Sequence, residues 1–321
     1  MHAVTPYLVR SYRGRDAETK QPEYHKLSDI NNIDLLELIH QFMTSKSGSV
    51  FDFAEDKKVY QFLDINYDKQ RRTVSASMCA GSYGVKSDIL DISTGKLRFP
   101  KTETDAEILR HYIQFTIPTN KTEAVALFHK SHSVGIKTLF DSLFKPFFRN
   151  KTNSSIQIAP YAHGEAIREW IDNAVVKRIC VKGYQPSSDI TDNLNSGIEL
   201  NNEFIIKPRR TSSSSMLGRL ADFIGPDASE PAQNMVAVLS QHGQSVKTVA
   251  QLNGTTRSFT VGTDSSSGTT CDIELDSDSG VTLDGGQPDH HEMHAWCINL
   301  TNDILKGVYG KRAPQIAPIS N

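Results

Sequence analysis

The sequence predicts an α+β fold with mixed, mostly antiparallel sheets and flanking helices, arranged in two domains. Short runs that alternate apolar and polar residues recur along the chain and are typical of strands. A few longer segments have the 3.6-residue period of an amphipathic helix. The composition, with 38% hydrophobic and 22% charged residues in a chain of 321, is that of a globular protein large enough for one large or two ordinary domains.

The elements are predicted in the following order. Strands are expected at Tyr7–Tyr12, Val59–Tyr67, Thr73–Ala80, His111–Ile117, Ala124–Phe128, Ser155–Ala159, Val175–Val181 and Glu203–Lys207, with several more between Met235 and Leu283. Helices are expected after an Asn32 cap, over Ile136–Phe144 with an end at Pro146, over Gly164–Asn173, over Met216–Ile224, and from Pro288 to about Val308. The tail from Gly310, with Pro314 and Pro318, is expected to be mobile.

A change of composition after Tyr184 predicts the domain boundary. The segment Gln185–Ser196 is rich in Ser, Asp and Asn, which is typical of a loop or linker. We therefore expect a globular α+β domain over residues 1–183. A smaller α+β domain over residues 184–321 would hold a basic turn, short strands and the C-terminal helix, and could take part in dimerisation.

Nothing in the sequence indicates secretion or membrane insertion. The N-terminus lacks an apolar stretch of signal-peptide length, and no run approaches the roughly 18 apolar residues of a membrane helix. The four cysteines are widely spaced, without a CxxC pair: Cys79, Cys180, Cys271 and Cys297. We therefore expect a cytoplasmic protein with reduced thiols and no cofactor.

The segment from His290 to Cys297 contains residues of the types that bind metal ions, at helical spacing. On a helix, His290 and His294 would lie on one face, with Cys297 one turn further on. The segment from His291 to His294 is one residue short of the zinc-protease pattern HExxH, and no second ligand cluster completes a tetrahedral site. Solvated imidazoles at a helix N-terminus are the simpler interpretation, so no metal is expected, although the sequence does not decide the point.

No complete catalytic constellation is present. Gly81–Ser87 has two residues between its glycines where a phosphate loop has four, and no Gly-x-Ser-x-Gly elbow occurs. The residues closest to a nuclease site are Asp88, Asp91 and Lys96, which surround a turn-like segment. The expectation is a protein that binds without catalysing a reaction, with a nuclease or other nucleic-acid enzyme as the alternative.

Charge is distributed unevenly, although the formal net charge is only −2. Two basic segments, Lys121–Lys151 and Phe204–Ala221, contrast with Ser258–Leu305, which has no Lys or Arg. Guanidinium and ammonium groups near a helix N-terminus and hydroxyls are the groups that hold phosphate oxygens. The residues expected to contact DNA are Lys207, Arg209, Arg210, Arg219, Lys130, Lys137, Lys145 and Arg149. A solvated basic turn that only keeps the surface soluble is the other interpretation.

Several short segments, spread over nearly the whole chain, occur in a recognisable order. They are a first strand with Tyr7, Tyr12 and Arg13, the pair Ala124–Phe128 and Leu139–Phe144, then Ile156–Pro160, Glu203–Arg209 and Asn302–Leu305. In order and spacing they resemble the RexA family, the intracellular component of the phage lambda superinfection-exclusion system. No single motif carries this resemblance.

The resemblance implies a cytoplasmic, two-domain homodimer that binds double-stranded DNA with little sequence preference. It also implies that the protein senses a phage-derived DNA–protein complex and signals to a membrane-embedded effector protein encoded nearby. The basic turn of the family corresponds to Lys207, Arg209 and Arg210. The chain departs from the family at Thr211–Ser215, which replaces a lysine-rich helix, and in a longer stretch around Ser265–Thr270, so a lower DNA affinity is expected.

Two further alternatives remain at this stage. The acidic segment Ser258–Leu305 could dock a basic partner or mimic DNA, which would make the protein an interaction module. The chain could also be the DNA-binding subunit of another membrane-linked phage-defence pair, such as Kiwa.

Overall fold

The structure is a computed structural model. It describes residues 2–15, 22–131, 134–161, 170–182, 203–208, 216–224, 229–242, 245–252, 255–261, 271–275 and 279–319. Within these ranges the chain has the α+β class predicted from the sequence, with mostly antiparallel sheets. None of the helices in the described ranges is long and apolar enough to cross a membrane.

The elements have the following bounds. The strands β1 to β19 are His2–Arg15, Pro22–Tyr24, Phe51–Phe53, Lys58–Asp68, Thr73–Ser82, Ser87–Asp91, Lys96–Lys101, Glu107–Thr116, Ala124–Ser131, Val134–Gly135, Ser155–Pro160, Val175–Lys182, Glu203–Ile206, Gly218–Arg219, Ser245–Leu252, Thr255–Val261, Cys271–Glu274, Leu283–Asp284 and Gln287–Pro288. The helices α1 to α4 are Leu35–Ser45, Lys137–Thr152, Glu230–His242 and His290–Tyr309.

The long strand β1 lies in the middle of the main sheet, whose order is β13-β12-β15-β16-β17-β1-β9-β8-β5-β4-β3. One edge of β1 pairs with β9 over residues 2–9. The other edge pairs first with β17, at Ala3 and Val4, and then with β11 over residues 7–12. Strands from early and late parts of the chain therefore meet on β1.

Strand pairing crosses the boundary predicted near residue 183. Strand β12 lies before that boundary, and it pairs with β13 and β15, which lie after it. The core under α4 likewise combines early residues such as Val4 and Leu127 with late residues such as Phe259 and Ile298. Both segments thus share one sheet and one of the two cores, and the division into two domains stays a prediction.

Helices cover both faces of the strands β8 and β9. On one face, α1 and α2 bury Phe42, Phe140 and Phe144 against Phe115. On the other face, α4 buries Cys297 and neighbouring apolar residues. Helix α1 begins at an Asp34 cap, whose side chain accepts a hydrogen bond from the Leu36 amide, and not at the predicted Asn32.

Helix α2 does not end at Pro146, contrary to the prediction, but continues to Thr152. Proline inside a helix costs about 3 kcal/mol because it removes a backbone donor and crowds the preceding turn. Phe140, Phe144 and Phe148 recur every four residues and are fully buried. Burying each of them contributes about 1.5–3 kcal/mol, which offsets the cost of the proline.

Two other local predictions were wrong. The segment Met216–Ile224 is not one helix but the strand β14 followed by a 3-10 helical turn at Leu220–Asp222, because Leu217 and Leu220 donate backbone hydrogen bonds to the edge of β12 and its preceding residue Ala174. Helix α3 occupies part of the region that was expected to hold only short strands. The apolar spacing of its buried residues Ala232, Val236 and Leu239 was a helical signal that the strand interpretation missed.

The C-terminal tail is packed onto the body, in contrast to the expected mobility. The Asn302 side chain makes two hydrogen bonds with the backbone of Ile316, at 2.8 and 2.9 Å. The Arg71 guanidinium donates to the carbonyl oxygens of Ala317 and Pro318. Ile316 is buried, so the tail closes one end of the core under α4.

A buried ion cluster joins four strands of the sheet. The carboxylate of Asp272 on β17 accepts hydrogen bonds from Thr5 on β1 (2.7 Å) and Lys247 on β15 (2.6 Å), and pairs with Lys130 on β9. Burial alone would raise the pKa of Asp272, but the two ammonium charges outweigh it and lower the pKa. The carboxylate is therefore ionised and compensated inside the sheet.

Replacement of this carboxylate should destabilise the fold strongly. Asp272→Asn leaves two partly buried ammonium groups without a counter-charge, and we expect a loss of about 3–5 kcal/mol in the free energy of unfolding. Urea unfolding at pH 7 measures the loss. Asp303→Asn, which breaks an exposed pair with Lys306, is the matched control and should cost less than about 1 kcal/mol. Similar losses in the two variants would contradict the role assigned to Asp272.

Candidate nucleic-acid interface

Helix α2 carries a basic stripe beside its buried phenylalanines. Lys145 and Arg149 are four residues apart and therefore neighbours on the helix surface, and both are exposed. Arg149 and Lys151 lie in the last turn, where cations interact favourably with the helix dipole. The helix ends at Asn153, a cap residue in the left-handed conformation, which directs the chain into β11.

A groove of about 590 Å³ lies between the second half of α2 and the strands β1 and β11. We call it the α2 groove, and its lining residues are Tyr12, Lys145, Pro146, Arg149, Asn150, Ser154, Ser155 and Ile156. The lining contains two cations, an amide and several hydroxyl groups, but no carboxylate. Groups of these kinds donate hydrogen bonds to phosphate oxygens, so the α2 groove can accept a polyanion.

The cations of α2 differ in how far they are neutralised. The carboxylate of Asp141 is 2.8 Å from the ammonium of Lys137 and 2.7 Å from that of Lys145. Lys137 also lies over the Tyr7 ring, which keeps its ammonium against the body. The side chain of Lys145 is 45% exposed, but the carboxylate that it shares with Lys137 is only 11% exposed, so Lys145 is partly neutralised. Arg149 has no acidic partner within the described part of the chain.

A second pair of cations lies at the outer edge of the sheet. Strands β13 and β14 pair with the same side of β12, at Ile179 and Val175 respectively. Lys207, the residue after β13, and Arg219 on β14 are both exposed. They are separated by roughly three residues of β12, about 10 Å at the usual rise of a strand. We call this pair the basic edge; Arg209 and Arg210 lie outside the described residues.

The α2 groove and the basic edge are separate surfaces. Five strand spacings separate β13 from β1, which is about 24 Å across an open sheet. The groove residue Tyr12 lies eight residues, about 26 Å, further along β1 than the pairing with β17 at Val4, so the two surfaces are roughly 35 Å apart. The residues expected to contact DNA therefore fall into two groups, Lys145 with Arg149 and Lys207 with Arg219. Tyr12, Asn150 and the serines of the α2 groove were not identified from the sequence as contacts, because short polar residues after a helix carry no distinct signal.

Lys130 belongs to neither group. Its ammonium is partly buried and held by Asp272 in the ion cluster of the sheet. Burial and the charge of Lys247 lower the pKa of Lys130, although Asp272 opposes this shift. The geometry gives Lys130 a structural partner, so its charge adds little to a surface that a phosphate can reach.

His290 and His294 of α4 pack against the sheet. His294 is buried and His290 is half-buried, so they are not the fully solvated imidazoles of the simpler interpretation. His290 is 2.9 Å from the Ser77 hydroxyl, and His294 is 2.7 Å from the Tyr112 hydroxyl. His294 also contacts the Asn66 amide at 3.1 Å. Cys297 is completely buried beneath them. Within the described ranges, no group of three or more His, Cys, Asp or Glu side chains is placed to hold a metal ion.

The residues considered for a nuclease site lie on the hairpin formed by β6 and β7. Asp88 and Asp91 are three residues apart on β6, so the alternation of a strand directs their side chains to opposite faces. Asp91 accepts hydrogen bonds from Ser93 and Arg98 at the turn. The arrangement does not bring the two carboxylates together as a metal-dependent nuclease requires.

Three acids of the described part of the acidic segment are bound by neighbouring groups of the protein. Asp272 is buried in the ion cluster, and Glu274 accepts a hydrogen bond from Ser258 and pairs with Arg178. Glu292 binds the backbone and hydroxyl of Thr282. These acids stabilise the sheet and the start of α4, and contribute little to an acidic docking face.

Comparisons with known proteins add no identification. No protein-family model, curated protein or solved structure matches the chain. The resemblance to the RexA family stays a prediction.

The buried histidines make the stability depend on pH. Burial lowers the pKa of His294 to about 4 and also lowers the pKa of His290. An unfolded histidine titrates near pH 6.5, so between pH 6.5 and 4 the unfolded chain binds protons that the folded chain does not. Stability is therefore unaffected by these groups above pH 6.5 and falls as the pH decreases below it.

His294→Gln should make this dependence shallower. We expect the slope of unfolding free energy between pH 6.5 and 5 to decrease by up to about 1.4 kcal/mol per pH unit, the value for one proton. Chemical unfolding at pH 7.5, 6.0 and 5.0 measures the slope. His291→Gln, at an exposed neighbouring position, is the control and should leave the slope unchanged. Equal slopes in the wild type and His294→Gln would contradict the assignment.

Proposed function

We propose that the protein binds double-stranded DNA without sequence preference, by neutralising phosphates at the α2 groove and the basic edge. The observation that carries the proposal is the α2 groove, whose lining brings Lys145 and Arg149 together with hydroxyl and amide donors and includes no carboxylate; the Asp141 carboxylate that pairs with Lys145 is not part of this lining. Contacts of this kind position a protein on the DNA backbone and read no base sequence. The binding is therefore electrostatic in origin and sensitive to salt.

The spacing of the two surfaces is compatible with one duplex. The roughly 35 Å between them corresponds to about ten base pairs, since each base pair advances the helix by about 3.4 Å. Arg209 and Arg210 follow Lys207 after Pro208 in the sequence and would add two cations to the DNA contacts. Each exposed cation that meets a phosphate releases a counterion and adds to the affinity.

The wider role follows from the resemblance to the RexA family. We infer a non-enzymatic cytoplasmic sensor in an anti-phage, superinfection-exclusion system, which acts as a homodimer and signals to a membrane-embedded effector. DNA binding by phosphate contacts suits such a sensor, because invading DNA has no fixed sequence. A neighbouring reading frame for a membrane protein with several spans would support this role.

The salt dependence of duplex binding tests the proposal. Lys145, Arg149, Lys207 and Arg219 should each add about −0.9 to the slope of log K against log salt, giving about −3.6 per chain. Fluorescence anisotropy with two unrelated duplexes of 20 base pairs, between 50 and 300 mM salt, measures the slope. A duplex affinity that does not change with ionic strength, or that differs more than tenfold between the two sequences, would contradict the proposal.

Arg149→Gln is the corresponding variant. It should reduce the slope by about 0.9 and weaken binding equally on both duplexes, because one phosphate contact is lost. Arg312→Gln, at an exposed arginine outside the α2 groove, is the control and should leave the slope unchanged. A loss confined to one duplex would indicate base readout.

A further inference from the structure

The β6–β7 hairpin exposes an unusual amount of apolar surface. It forms a two-stranded sheet of its own between β5 and β8. Five large apolar side chains on it are 46–101% exposed: Ile89, Leu90, Ile92, Leu97 and Phe99. Single exposed apolar residues are ordinary, but a contiguous set marks an interaction surface.

The register of the hairpin sorts these side chains onto two faces. Ile89 is paired with Phe99, and Leu90 is paired with Leu97 beyond a bulge. Residues directly opposite share a face, and neighbours along a strand alternate. The Ile89–Phe99 pair therefore lies on one face, which we call the Phe99 face, and the Leu90–Leu97 pair lies on the other.

The two strands of the hairpin carry charges of opposite sign. Strand β6 carries only acids, Asp88 and Asp91, whereas β7 carries only cations, Lys96, Arg98 and Lys101. In the described part of the chain, Asp88, Lys96 and Lys101 have no ion-pair partner. On the Phe99 face, the apolar pair is flanked by the Asp91–Lys96 pair on one side and by Lys101 on the other.

We propose that the Phe99 face binds the same face of a second copy of this chain, with β6 of one copy against β7 of the other. This arrangement packs Ile89 on Phe99 of the partner subunit, and Phe99 on Ile89 of the partner subunit. It also brings Asp91 next to Lys96 of the partner subunit, twice over, as a two-fold contact requires. A surface with separated opposite charges is complementary to itself in this way.

Charge also disfavours the other ways of joining two hairpins. Pairing β7 edge to edge with its copy would place cations beside cations, and Pro100 cannot donate to the new ladder. Pairing β6 with its copy would place acids beside acids, which is unfavourable. Face-to-face packing with the strands exchanged avoids both. The proposal rests on the homodimer of the proposed function and assigns its contact surface, but it does not depend on DNA binding.

The contact should be of moderate strength. A standard stable interface takes about 800 Å² from each partner, with 20–30 residues a side, and the hairpin alone is smaller. We therefore expect a dimer whose population depends on concentration in the micromolar range. Its affinity should decrease with salt, because part of it comes from exposed ion pairs.

Analytical ultracentrifugation of the full-length chain without DNA tests the proposal. Ile89→Asp should raise the dimer dissociation constant at least tenfold, because it places a charge in the centre of the contact. Leu90→Asp is the matched control, since it introduces the same charge at the neighbouring residue, on the opposite face of the hairpin. It should change the dimer dissociation constant less than threefold. Phe99→Ser, a milder change on the Phe99 face, should weaken the dimer as well. Circular dichroism confirms that each variant is folded.

Three outcomes would overturn the proposal. The wild-type chain could remain monomeric up to 100 µM. The Ile89 and Leu90 variants could weaken the dimer equally, which would place the contact elsewhere. The wild-type chain could sediment with phosphatidylserine vesicles, and both the Ile89 and the Leu90 variant could lose this binding equally. That result would assign the hairpin to a lipid surface instead.

Discussion

The ionised carboxylate of Asp272 is the constraint on which the arrangement of the sheet depends. It lies beside the central strand β1 and binds Thr5, Lys130 and Lys247, so it ties β1, β9, β15 and β17 together. A buried carboxylate is tolerated only when it is paired and hydrogen-bonded. Strand β17 pairs with β1 in the register that places Asp272 beside Thr5, and α4 packs over β8 and β9 in a core that early and late residues share.

The same pairing sorts the cations of the chain. The ammonium of Lys130 pairs with Asp272 inside the sheet, and Asp141 neutralises part of the charge of Lys137 and Lys145. Acids such as Asp272 and Glu274 are likewise paired and largely withdrawn from the surface. A protein with a formal net charge of only −2 can thus still present local positive surfaces, as the α2 groove does.

Local patterns in the sequence predicted most strands and the C-terminal helix, because these depend on alternation and spacing within a few residues. They did not predict the continuation of α2 through Pro146, which depends on core contacts of Phe148 after the proline. They also did not predict the short strand β14, which forms only because β12 offers an edge. Lys130 looked like a surface cation because its partner, Asp272, lies in a distant part of the sequence.

The most direct test of the account is the reactivity of lysine amines towards acetylation, measured by mass spectrometry with and without saturating duplex. The account expects Lys145 and Lys207 to react in the free protein and to be protected by DNA. It expects Lys130 to react slowly in both states, since its ammonium is held by Asp272. Equal reactivity of Lys145 and Lys207 in the two states, with duplex bound, would contradict it.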